Sequence, residues 1–211
     1  MVGAATFHAV ATELVVGSLS IAVLATILRC IATFSNPLAR KAGAKVLSGL
    51  DAASLWAAGF GFSIIPFAII TGYLAAGDAA SNPQVINKMI LSGLCAGLWI
   101  GFIYGRMTLG PGLWNHRRLA VVQTFIAFLA IEVTYLLGSI GGLLARGEAI
   151  MDILPFFPHF ENAPEISIFM SVVLMLIGLV TLLVVIFLQP KPQRITELVH
   201  NDSERLPSRL S

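Results

Sequence analysis

Between Lys88 and Leu109 four glycines, Gly93, Gly97, Gly101 and Gly105, recur at intervals of four in a run filled by Leu91, Leu94, Leu98, Ile100, Phe102 and Ile103. In a helix that spacing lines the glycines along one face, a shallow groove into which a neighbouring backbone can press. The other faces are apolar, a distribution suited to hydrocarbon. The expected element is a membrane-spanning helix that organises a bundle by close approach.

Composition points the same way. The chain of 211 residues is 57% hydrophobic and 11% charged, against about 25% charged in soluble domains. A soluble core could not hide that much apolar surface, whereas the length accommodates several spans of ~20 residues. Cys30 and Cys95 lie in different apolar segments, outside any CxxC pair or Cys/His cluster, and read as buried thiols. The net charge of +2 comes from residues near segment ends, so it is a topology signal and not a nucleic-acid footprint.

The expected fold is an all-α polytopic bundle of five transmembrane helices over residues 1–188, followed by a polar tail, 189–211. The spans run over about 7–33, 51–76, 88–109, 119–145 and 166–188. No basic segment precedes the first span and no small-residue cleavage site follows it, so it is expected to stay in the mature chain. Pro66 should kink the second span by freeing the Phe62 carbonyl. Residues 35–49 and 77–87 read as loops, and Gly110, Pro111 and Gly112 break the third span before a basic turn, Trp114 to Arg118.

Charge placement orients the bundle. Arg40, Lys41, Lys45, Arg106, Arg117 and Arg118 fall on one side, and the loop after span four carries Glu148, Asp152, Glu161 and Glu165. The positive-inside rule then puts the N-terminus outside and the C-terminus in the cytoplasm, in a multi-pass protein of a prokaryotic cytoplasmic membrane. The outer segment 153–160, ILPFFPHF, reads as an interfacial anchor covering one end of the bundle, or as a docking site for a partner or apolar ligand.

Polar residues inside the spans are the candidates for chemistry. An ionised carboxylate near mid-span costs several kcal/mol, so Glu132 must face the bundle, pair, or be protonated. Thr124, Phe128, Glu132, Tyr135, Ser139 and Gly142 step by three and four along one expected seam. Glu13 has a similar seam with Ala9, Gly17 and Ser20, and no basic residue is expected at the depth of either acid. Such residues suit a proton or cation route, a quinone or cofactor site, or buried acids that fix helix register.

Histidines bear on haem b, which needs two imidazoles at matching depth. His8 stands at the outer end of span one, and His159 in the outer loop could meet it only if that loop folds back. A haem or metal site within the chain is thus weakly supplied. No nucleophile motif, phosphate loop or metal motif is present, and the glycine-rich helix lacks GxGxxG spacing, so no catalytic constellation is complete.

His8 followed five residues later by Glu13, then a long apolar run, resembles the opening of a bacterial and archaeal family of small four-helix membrane proteins of unknown function, which begins H-P-x-x-x-H-F-P. Leu137-Gly138-Ser139-Ile140-Gly141-Gly142-Leu143-Leu144, then Arg146-Gly147, is similar to that family's glycine-rich close. The resemblance covers about residues 5–150 and implies a four-helix fold, with span five an addition. Ala9 stands at the proline position and Glu13 at the second histidine, which removes the ligands that suggest haem in that family.

Three functions are compatible with these residues. The first is a non-catalytic accessory or structural subunit of a larger membrane complex, a respiratory or redox complex being one option, with the lipid bilayer and other membrane subunits as partners. The second is a haem- or quinone-binding redox subunit using His8, His159 and Glu13. The third is a small proton or ion transporter using Glu13 and Glu132.

Overall fold

The computed structural model describes residues 3–77 and 82–147 and, beyond them, Val173 and Leu176 alone. Among the described residues the fold is all-α, with four helices: α1 (Ala4–Phe34), α2 (Asn36–Ala75), α3 (Pro83–Leu109) and α4 (Arg117–Arg146). A 3-10 turn, Gly110–Asn115, joins the last two. All four helices are long and apolar enough to cross a membrane, the build of a multi-pass membrane protein. The expected fifth span over 166–188, the acidic loop beyond Gly147 and the tail 189–211 fall outside the described residues, apart from Val173 and Leu176.

The short connections make sequential helices antiparallel neighbours. α1 packs on α2 and α4, and α3 packs on the same two, so α1 and α3 stand diagonally across the bundle. The centre is built from small residues of three helices, Ala22, Ala58, Ala127 and Ala130, closing around Trp99 and Phe102 of α3. Those two rings meet edge to face, 5.6 Å apart at 75°, the arrangement the ring quadrupoles favour.

Two expected loops are partly helical. α2 begins at Asn36, with Pro37 in its first turn, so most of the 35–49 segment is helix. Leu38, Ala39, Arg40, Lys41, Ala42 and Ala44 are strong helix formers, and only Gly43 leaves helical geometry, at φ 74° and ψ 161°. A side chain there would be strained. α3 likewise begins at Pro83, not Lys88, because the Asn82 side chain caps it by accepting from the Gln84 N–H at 3.0 Å.

Among the described residues, the glycine groove of α3 is not where the helices pack. Among the described residues a Cβ built on Gly93, Gly97 or Gly101 meets nothing within 4 Å, and all three residues are exposed, whereas a Cβ on Gly105 would lie 3.1 Å from Gln123 Oε1. α3 instead turns Cys95, Trp99, Phe102 and Arg106 inward. A tight glycine contact lies elsewhere. On α2, a Cβ at Gly61 would lie 2.5 Å from Ser18 Oγ and 2.7 Å from Leu19 Cδ2 of α1.

Candidate functional site

The densest polar arrangement lies at the end of the bundle where α1 finishes and α4 begins. Asp51, on α2 below the Gly43 break, is buried, as is Arg106 in the last turns of α3. Asp51 Oδ1 accepts from Arg106 Nε at 2.6 Å and from the Trp114 indole N–H at 2.6 Å, while Oδ2 pairs with Arg106 Nη2. A buried carboxylate with three donors is well satisfied, which offsets much of its desolvation. Trp114 sits on the 3-10 turn, so one carboxylate ties α2, α3 and the turn together. Ser54 Oγ, one turn along α2, donates to the Asp51 backbone carbonyl at 2.9 Å.

Arg29 of α1 completes the cluster without joining the ion pair. Its guanidinium lies 5.2 Å from the centroid of the Trp114 ring, within cation–π range. Nη1 donates to Thr33 Oγ1 at 3.2 Å, and Nε is buried without an acceptor among the described residues. Two arginines face one aspartate, and the cluster keeps one net positive charge.

The bundle interior continues the polar series. Gln123 Nε2 donates to the Phe102 carbonyl at 2.8 Å. Higher up, Thr134 Oγ1 accepts from the Trp99 indole at 3.2 Å and meets Cys95 Sγ at 3.3 Å, so Cys95 is the buried thiol expected. Ser20 and Tyr135 join α1 to α4 at 2.8 Å.

The expected seams divide between faces. Tyr135, Ser139 and Gly142 turn inward or partly inward, Glu132 is half-buried, and Phe128 is exposed. Around Glu13, Ala9 and Gly17 share its exposure, whereas Ser20 turns to Tyr135. Each seam follows a helical step, but the helices meet at crossing points and not along a whole face.

The structure does not bring the two acids together. Glu13 lies seven residues before Ser20 and Glu132 three before Tyr135 on the antiparallel helix, so the acids are about 15 Å apart in depth. A basic residue does share Glu13's level. Gly141, six residues past Tyr135, carries the Lys88 ammonium, which a Cβ at that glycine would meet at 2.5 Å. That level corresponds to Leu14. Lys88 sits inside the bundle and Glu13 points out, so they form no pair.

His8 is held against α2. Its Nδ1 lies 2.9 Å from the Ala68 carbonyl, to which the ring N–H donates. The imidazole rests on Gly72, where a Cβ would stand 2.8 Å from Cε1. His159 lies outside the described residues. Among the described residues no three His, Cys, Asp or Glu side chains gather as metal ligands.

Compared with protein families, curated proteins and solved structures, the chain matches none. The site is therefore read from its own residues.

Sequence reasoning passed over Asp51, Arg106 and Trp114, treating the first as a span boundary, the second as a topology charge and the third as part of a basic turn. A signal was present. Asp51 opens one expected span and Arg106 closes the next, so opposite charges stand at one end of consecutive antiparallel helices.

Proposed function

We propose that this chain is a non-catalytic accessory subunit of a larger membrane complex, held in a prokaryotic cytoplasmic membrane. In this reading a fifth span over 166–188 joins the four helices, the N-terminus lies outside and the C-terminus in the cytoplasm.

The observation that carries the reading is the position of Glu13. It is exposed on an outward stripe of α1 that also exposes Val10, Leu14, Gly17, Ile21 and Leu24. A carboxylate left against hydrocarbon costs several kcal/mol. A helix of another subunit that offers a hydrogen-bond donor or cation at this level removes that cost. Gly17, one turn away with nothing within 4 Å, lets such a helix approach closely. The occupant is thus a transmembrane helix bearing a donor opposite Glu13. A single proton route through both acids is disfavoured by their separation in depth and by Glu13's outward direction.

The test is purification in mild detergent of the wild-type chain and Glu13→Leu. The wild type is expected to elute with a stoichiometric partner that Glu13→Leu loses while remaining folded. A wild-type chain that elutes alone and folded, as the variant does, overturns the reading.

A further inference from the structure

We propose that the corner between the end of α1 and the start of α4 binds the phosphate of an anionic phospholipid headgroup, with Arg29 and Arg117 as its cationic contacts. Several observations converge there. The Asp51 carboxylate is hydrogen-bonded by Arg106 and Trp114 and faces both Arg106 and Arg29, so this cluster of two cations and one acid retains one positive charge. Arg117 also has no ion pair among the described residues.

Both guanidiniums are oriented by aromatic rings. Arg29 lies over Trp114 at 5.2 Å and Arg117 over Phe34 at 5.5 Å. Stacking fixes a planar fork before a ligand arrives, which reduces the side-chain entropy lost on binding. Guanidinium geometry matches phosphate oxygens.

The corner is closed by protein contact, with Cys30 Sγ of α1 3.8 Å from the Ala120 carbonyl of α4. α4 opens at Arg117 without a side-chain cap, so its first N–H groups add positive potential beside the arginines. Arg40, Lys41, Lys45 and Arg118 occupy the same end of the bundle. Exposed Phe34 and Leu38 flank them. Cations backed by apolar and aromatic side chains at a helix end suit a headgroup whose acyl chains lie along the bundle.

The experiment is native mass spectrometry of the full chain after exchange into mixed phosphatidylglycerol and phosphatidylcholine. Retention of phosphatidylglycerol over phosphatidylcholine is expected, falling about fivefold for each of Arg29→Gln and Arg117→Gln. Arg146→Gln, at the opposite end of α4, should leave retention unchanged. Arg117 is exposed, so its variant tests the proposal even where the Arg29 variant does not fold. Equal retention of the two lipids overturns the proposal, as does undiminished retention in Arg117→Gln. A thermal stabilisation by inorganic phosphate equal to that by phosphatidylglycerol overturns the lipid as its source.

Discussion

Asp51 and Arg106 form a buried ion pair across α2 and α3, and the Trp114 indole donates to the same carboxylate. Removing one partner leaves the other charged, buried and without its main counter-ion. Asp51→Ala and Arg106→Ala should each destabilise by about 3–5 kcal/mol. Replacing both with well-packed apolar residues should cost much less. Thermal unfolding in one detergent checks this, and a double variant no better than either single one would contradict the account.

Trp114→Phe keeps an aromatic ring beneath Arg29 and removes the N–H donated to Asp51 at 2.6 Å. Loss of one hydrogen bond to a charged acceptor predicts destabilisation of about 1.5–3 kcal/mol. A chemical-denaturant titration of the two proteins measures it. A neutral result would mean that Arg106 alone satisfies the carboxylate.

Close packing at Gly61 predicts a sharp contrast with the glycine stripe of α3. Gly61→Val drives a side chain into Ser18 and Leu19, whereas Gly97→Val meets none of the described residues. The first should lose at least 2 kcal/mol through overpacking, and the second should change the stability of the bundle by less than about 1 kcal/mol. Comparable loss of folded protein in both would restore the α3 groove as the organising contact.

Glu132 is half-buried and has no hydrogen-bond partner among the described residues. Glu132→Gln preserves its shape, so the change in stability should stay within about 0.5 kcal/mol. Thermal unfolding at neutral pH is the measurement. A loss above about 2 kcal/mol would reveal a charge-specific partner.

The four helices were legible because apolar runs of membrane length are a one-dimensional signal, and the turn at Gly110–Asn115 was marked by its Gly-Pro-Gly. The 35–49 segment was misread because basic residues in a row suggest a loop, although Ala, Leu, Lys and Arg are also good helix formers. Spacing placed Gly93, Gly97 and Gly101 on one face of α3 but could not say which way that face points. Trp99 and Phe102 took the interior, since they bury far more apolar area and the Trp99 N–H finds Thr134. The Asp51–Arg106 pair was hidden for a related reason. It depends on the register between α2 and α3, and each charge alone also fits a topology signal at a span end.

Site-specific photo-crosslinking tests the accessory-subunit reading most directly. A photoreactive residue at Leu14, beside Glu13 on the outward stripe, is compared in intact membranes with one at Phe125, an equally outward position on α4. The account predicts one discrete protein adduct from position 14, absent from position 125 and lost when Glu13 is replaced by Leu. Lipid adducts alone from position 14, or a protein adduct that survives Glu13→Leu, would contradict it.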